Sequence, residues 1–536
     1  MLHFIILITC FTSLATAKRP HIIFILADDL GFNDVGFHGS GQIPTPNIDA
    51  LAYSGLILNN YYVNPICTPS RSALMTGKYP IHTGMQHGVL YGAEPSGLPL
   101  CEKLLPQYLQ ELGYVNHIVG KWHLGSWKKV YTPLYRGFVS HLGYWTGHQD
   151  YYDHTAMEAG SWGLDMRKNM SVAYELHGEY STDIFTKESV RLIKNHDPSS
   201  PLFLYLAHVA VHSGNPYEPL RAPDEEIAGF GFIENYERRK FAAMLSKLDE
   251  SVGQVVKALG DKGMLENSII VFSTDNGGAA AGFNLNAASN YPLRGVKNTY
   301  WEGGVKGAGL IWSPLIQKPF RVSRQMMHIA DWLPTLLEAA GADTTNLTHI
   351  DGLSIWKALS ENSESPREEI LHNIDDILGI SSITVNNWKL IQGTTYKGAW
   401  DNWYGPSGRW YQYNISSVEN GPVGVQLKKI NKFVDGKVIK TLRAEATIQC
   451  GDGPKIHCNP LKTPCFYNIL KDPCELKSVA KEYPLVLKEL QVRIQQFNAT
   501  AVPPIKKPVD PKGDPKNWNR VYTNFGDFEN PNLIVL

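Results

Sequence analysis

Cysteine is scarce in this chain, seven among 536 residues, and charge nearly cancels, with 50 Lys and Arg against 51 Asp and Glu. A net charge of −1 supplies no global attraction to nucleic acid or to a membrane surface, so any recognition of an anion has to be local. Long apolar runs are missing after the first residues, and no later segment reads as a membrane span. Internal repeats are absent as well. The length exceeds one ordinary core, which leads to the expectation of one very large domain plus a smaller one.

What is present begins at the N-terminus. Met1 to Ala17 carries an apolar stretch from Phe4 to Ile8, continues through Leu14 and ends in Ala15-Thr16-Ala17, as a secretory signal does, although no Lys or Arg precedes the stretch. Four acceptor sequons, at Asn169, Asn346, Asn414 and Asn498, agree with a secretory route and an oxidising compartment. Removing Cys10 with the signal leaves six cysteines, a parity that permits three disulfides. Cys450, Cys458, Cys465 and Cys474 are close enough in sequence to form two local bridges, leaving Cys67 and Cys101 over.

Along the chain, His21 to Ala27 is a continuous apolar, β-rich run, as expected of a strand buried on both faces, and it stops at Asp28-Asp29. Comparable runs are His117 to Gly120 before Lys121, Leu202 to Ala207 before His208 and His212, and Ile269 to Ser273 before Asp275-Asn276. Helical patterns such as Glu102 to Leu112 and Phe241 to Leu259 lie between them. The alternation predicts a mostly parallel α/β sheet flanked by helices, with ligands outside the carboxyl ends of its strands. After about residue 370 shorter β-like pieces are expected, Ser382 to Ile391 and Val438 to Ile448, then an amphipathic helix from Pro484 to Phe497. The expected organisation is a signal over 1–17, a catalytic domain over 18–370, a smaller α+β domain over 371–500 and an extended tail over 501–536, with Val502 to Trp518 running over the surface.

The run Cys67-Thr68-Pro69-Ser70-Arg71-Ser72-Ala73-Leu74-Met75-Thr76-Gly77 carries the most chemistry. Pro69 suits a first helical turn and Ser70 to Thr76 can continue it, so Cys67 would lie at a helix N-terminus, where unpaired N–H groups favour an anion, with Arg71 pointing back toward it. Asp28, Asp29, Asp275 and Asn276 are hard oxygen donors after two strands, a set that suits Ca²⁺ or Mg²⁺ better than zinc. Each pair taken alone is also explained by a helix cap or a turn.

The Cys67 run resembles the motif by which sulfatases mark one cysteine for oxidation to formylglycine. Together with Lys121-Trp122-His123-Leu124-Gly125, Leu293 to Lys297, Trp301-Glu302-Gly303-Gly304, Trp332 to Leu336 and Leu371 to Asp375, the chain looks like the arylsulfatase B branch of the sulfatase family, the N-acetylgalactosamine-4-sulfatase branch. The resemblance runs from about residue 20 to 375 and returns around Cys465 to Pro484. It implies an alkaline-phosphatase-like fold, one calcium held by Asp28, Asp29, Asp275 and Asn276 beside residue 67, and lysosomal or secreted hydrolysis of sulfate esters. Also implied are sulfate contacts from Lys121 and Lys297, a hydrogen bond from His123 to the formylglycine diol, and assistance to the leaving oxygen by His212. His208 competes with His212, because Ser213-Gly214-Asn215 looks inserted. The implied partners are a sulfated sugar or other sulfated small molecule and, during maturation, a formylglycine-generating enzyme. Departures from the family pattern at Gly160 to His177, after His212 and in Ala279 to Asn290 concern the substrate. Alternatives are a sulfatase of aryl, steroid or plant-derived sulfates such as glucosinolates, a two-metal phosphatase or phosphodiesterase, which Cys67 argues against, and an inactive binder of sulfated glycans.

Overall fold

The computed structural model describes residues 18–451 and 453–529. The expected secretory signal and the last residues of the tail, 530–536, lie outside the described residues. A ten-stranded sheet forms the centre, in the order Arg321–Ser323, Leu56–Leu58, Gly309–Trp312, Ser268–Thr274, His21–Ala27, Leu202–Ala207, Val115–Lys121, Ser140–Tyr144, Arg167–Lys168 and Ser171–Val172. Its central five strands, Ser268–Thr274 through Ser140–Tyr144, are all parallel. This is the expected α/β architecture, alkaline-phosphatase-like.

The apolar runs form the middle of the sheet because both faces are covered. Ile23, Ile25 and Ala27 point into one core with the long helix Tyr236–Asp261, while Ile22, Phe24 and Leu26 point into another with Cys67–Thr76 and Trp332–Ala339. That two-sided burial requires continuous rather than alternating hydrophobicity. Since the central strands are parallel, the residues that follow them, Asp28, Lys121, His208 and Asp275, emerge along one edge. Gly120 allows the close approach there. Its φ is +102°, and a Cβ would lie 1.9 Å from the carbonyl oxygen of Ala207.

A second, four-stranded antiparallel sheet follows, built from Glu369–Asp375, Ile380–Val385, Trp388–Gln392 and Cys465–Asn468. The helix Pro484–Asn498 covers it with Leu490 and Ile494, packed against Leu371, Ile383, Leu390 and Phe466. Disulfides join Cys450 to Cys474 and Cys458 to Cys465, leaving Cys67 buried and Cys101 exposed as free thiols.

Two expectations change. Val438 to Ile448 is not a β-like piece but the helix Gly436–Ala446, capped by Asp435, whose side chain accepts from the N–H groups of Lys437 and Val438. Ile439, Leu442 and Ala446 are its buried positions, a helical spacing that the β-branched Val438-Ile439 pair obscures, and they join the core of the large sheet. The stretch Val502 to Trp518 does not simply lie over the surface. Val502 and Ile505 donate backbone hydrogen bonds to Ile81 and Gly84, and Trp518 is buried. Among the described residues no helix is long and apolar enough to cross a membrane.

Candidate active site

Cys67 is the first residue of the helix Cys67–Thr76, which follows Ile66 in extended conformation and ends at Gly77 with φ of +68°. Local hydrogen bonds fix this start. Ser70 Oγ accepts from the Asn64 N–H at 2.8 Å, and Thr68 Oγ1 donates to the His123 carbonyl at 3.2 Å. The helix is buried throughout, so its first N–H groups point into the protein at the carboxyl edge of the sheet.

Around this start lie three carboxylates and three cations. Lys121 Nζ is 2.6 Å from Asp28 Oδ2, Lys297 Nζ is 2.7 Å from Asp29 Oδ2, and Arg71 donates through Nε and Nη2 to Asp275 Oδ2 at 3.1 and 2.8 Å. Cys67 Sγ stands 3.7 Å from Asp28 Oδ1. Burial acts to raise the Asp28 carboxyl, but Lys121, Arg71 and Lys297 outweigh it and hold the group below its ordinary value. Asp29 and Asp275 are raised, chiefly by burial. Burial also pushes the Cys67 thiol up to about 12, against the pull of Lys121 and Lys297, so near neutral pH it is a thiol and a poor nucleophile.

The two histidines differ in the nitrogen they offer. His123, with φ of +59°, has Nε2 at 2.9 Å from the Leu90 carbonyl, which makes Nε2 the protonated atom and leaves buried Nδ1 as a lone-pair acceptor without a partner. His212 is the reverse. Its Nδ1 donates to the Ser213 carbonyl at 2.5 Å, and Nε2 faces Lys297 Nζ at 3.0 Å and Asn284 Nδ2 at 3.1 Å. Burial first, and then neighbouring cations, depress both imidazoles well below their usual range, so both are neutral. His208 is elsewhere, with Nε2 on Ser251 Oγ at 3.0 Å.

These groups can hold a cation. One atom from each of Asp28, Asp29, Cys67 and His212 lies within 4.8 Å of all the others. Asn276 donates through Nδ2 to Asp29 Oδ1 at 2.7 Å, while its Oδ1 is buried without a partner. Asp28, Asp29 and the Asn276 Oδ1 are hard oxygen donors of the kind Ca²⁺ or Mg²⁺ takes, whereas Asp275, which Arg71 holds, is not one of the group of four. Three negative charges against three positive ones leave the cluster neutral, and a divalent cation would make it positive, the sign an anionic ester needs.

A cavity of about 140 Å³ opens onto this cluster, lined by Cys67, His123, His212 and Lys297 together with Tyr91, His148, Glu158, Phe283 and Asn284. A larger cavity of about 890 Å³, bounded by Phe232, Trp410 and Tyr411, contains none of the charged cluster, and the chemistry points to the smaller one. Asp28, Asp275, Asn276, Lys121 and Arg71 stand behind the lining. Sequence reasoning had not singled out His148, Glu158, Tyr91 or Asn284. Asn284 lies in the divergent Ala279 to Asn290 loop, which was the available signal, and Glu158 lies just ahead of the divergent stretch that starts at Gly160. The sequon residues Asn169, Asn346, Asn414 and Asn498 are all exposed.

A family model described as Sulfatase matches residues 20–342. Arylsulfatase J of Mus musculus is 40% identical to this chain over 522 residues, spanning 94% of this chain and 79% of the other. N-acetylgalactosamine-6-sulfatase of Homo sapiens is 30% identical over 411 residues, spanning 72% and 73%. Among solved structures, the crystal structure of Ps i-CgsB aligns with a TM-score of 0.70 at 27% identity, covering 91% of this chain and 94% of that one.

Proposed function

The chain belongs to the sulfatase family and is a sulfuric ester hydrolase, and on that premise we propose that it removes sulfate from sulfated sugars, such as N-acetylgalactosamine 4-sulfate in glycosaminoglycans, along a secretory route that ends in the lysosome or outside the cell. The observation that carries the mechanism is the setting of residue 67. It starts a buried helix beside two lysines, yet its thiol is un-ionised at working pH. Such a cysteine is well placed but is a poor nucleophile as a thiol, which leaves that role to formylglycine made from it by a formylglycine-generating enzyme during maturation. Formylglycine at residue 67 would supply a hydrated aldehyde as nucleophile, and one divalent cation, Ca²⁺ in this reading, held by Asp28, Asp29, Asp275 and Asn276 would supply positive charge for the sulfate group.

The chain's own residues do the remaining work. Lys121 and Lys297 bring ammonium groups to the sulfate oxygens, and Arg71 fixes Asp275 from the second turn of the helix. His123 takes a proton at Nδ1, since Nε2–H is committed to Leu90. Lys297 presents an ammonium proton toward the leaving oxygen, and His212 Nε2, which accepts a hydrogen bond from that ammonium, orients it. Two disulfides and four exposed sequon asparagines support the secretory route.

The deciding experiment is mass spectrometry of the residue-67 peptide from protein that hydrolyses 4-nitrophenyl sulfate. Formylglycine is expected there. Cys67 found wholly as thiol in fully active protein refutes the mechanism.

A further inference from the structure

Glu158 ends the first strand of a hairpin, Thr155–Glu158 and Ser161–Leu164, whose two-residue turn, Ala159 at φ +48° and Gly160 at φ +84°, has the left-handed pair that tight hairpins favour. That turn delivers the carboxyl to the wall of the catalytic cavity. Its Oε2 accepts from the Gly92 N–H at 2.7 Å and its Oε1 from the Gly147 N–H at 2.6 Å. Among the described residues no lysine or arginine pairs with it, and the nearest basic atom is His148 Nδ1 at 4.0 Å. Burial holds His148 neutral, down to about 4. A carboxyl buried without a cation is costly, which calls for a reason to keep it.

The surroundings supply one. Gly147 has no room for a side chain: a Cβ there would come within 2.8 Å of His123 Nε2 and 2.9 Å of Glu158 Oε1, so the carboxyl and a histidine of the reaction border the same glycine. His148 stacks on His212, ring centroids 5.8 Å apart and planes at 11°. The segment inserted after His212 pins the hairpin, with Asn215 Oδ1 accepting from the Met157 N–H at 2.8 Å. Burial raises this carboxyl to about 7, and ionised above that pH it offers about four lone-pair sites, of which backbone N–H groups use two. The others are available to whatever enters the cavity.

We propose that Glu158, with His148 beside it, is the specificity-determining pair of the pocket, reading a hydroxyl or amide N–H that the sugar presents beside its sulfate ester. This inference rests on the sulfatase reading above. The cations of the cluster attract one anionic group, and Glu158 admits a hydrogen-bond donor next to it while opposing a second anion. The class of substrate selected is therefore a singly sulfated sugar with a neutral neighbouring group, rather than a disulfated sugar or a simple aryl sulfate.

The test compares wild type with Glu158→Gln at pH 8, where Glu158 is ionised, on N-acetylgalactosamine 4-sulfate, N-acetylgalactosamine 6-sulfate, the 4,6-disulfate and 4-nitrophenyl sulfate. On the better of the two monosulfates the variant should lose about 10- to 100-fold more kcat/KM than on the aryl sulfate, the size expected for a hydrogen bond to a charged group, with most of the loss in KM. Discrimination against the disulfate should narrow as well. Equal losses on sugar and aryl substrates, or no loss on the sugars, overturn the proposal. Wild type that hydrolyses 4-nitrophenyl sulfate but none of the sugar sulfates overturns it too and leaves the sulfatase reading standing. Wild type inactive on every sulfate ester counts against that reading itself.

Discussion

Replacing His212 with alanine tests the proton path at the leaving oxygen. In the folded protein Nδ1–H is tied to the Ser213 carbonyl at 2.5 Å, so only Nε2 faces the reaction, where it accepts from the Lys297 ammonium at 3.0 Å. Removing the ring leaves Lys297 bound to Asp29 and takes away the group that aims its ammonium at the leaving oxygen. A positioned general acid is worth about 10²- to 10⁴-fold, and the benefit shrinks when the leaving group is stable as an anion. His212→Ala should therefore lose about 10²- to 10⁴-fold in kcat on a sugar sulfate, yet about tenfold or less on 4-nitrophenyl sulfate, whose phenolate departs without a proton. His123→Ala should be slow on both, because the proton taken at Nδ1 does not depend on the leaving group. Steady-state kinetics of the two variants on the two substrates give the answer. If His212→Ala loses equally on both, or if His208→Ala shows the selective rescue, the acid has been misassigned.

The cation and one buried carboxyl give two further tests. Asp28→Ala or Asp275→Ala should lower both activity and bound calcium or magnesium measured by elemental analysis, with Asn276→Ala milder since it removes no charge; stoichiometric zinc without either metal in active protein refutes the oxygen-donor assignment. Asp249 lies buried in the helix Tyr236–Asp261 and accepts from the backbone N–H groups of Asn47 and Ile48, and burial raises it to about 7. Because its folded pKa lies above the unfolded value, the stability it contributes is present at acidic pH and lost as pH rises through 7. The melting temperature of Asp249→Asn relative to wild type should accordingly be more favourable at pH 8 than at pH 5.5, and a pH-independent or reversed difference refutes the assignment.

The central sheet was readable because its strands are buried on both faces, which writes them as unbroken apolar runs that end abruptly in charge. His21 to Ala27 followed by Asp28-Asp29 is such a boundary, and so is Ser268–Thr274 followed by Asp275-Asn276. The helix start at Cys67 was readable for a local reason, Pro69 in its first turn and Gly77 at its end. The helix Gly436–Ala446 was not, since Val438 and Ile439 argue locally for a strand and only packing against the large core settles the matter. Trp518 in the tail misled in the same way, its burial depending on partners distant in sequence.

The site divides along the same line. Most groups that act on the sulfate follow directly from strand ends or from the first turns of one helix, positions that local pattern fixes, while Lys297 comes from the loop ahead of the helix Glu302–Val305. Groups that face the remainder of the substrate come from a hairpin tip at Glu158, a loop at Asn284 and the turn holding His148, and nothing local specifies that these meet. Their meeting depends on long-range bonds such as Asn215 to Met157 and Ser213 Oγ to the Asn284 carbonyl at 3.0 Å. The Ser213-Gly214-Asn215 segment ties the histidine at the leaving oxygen to both the hairpin and the loop that form the pocket. A change in that segment would alter substrate choice without touching any group that contacts the sulfate, which is why the reaction is legible in this sequence while its substrate has to be read from the pocket.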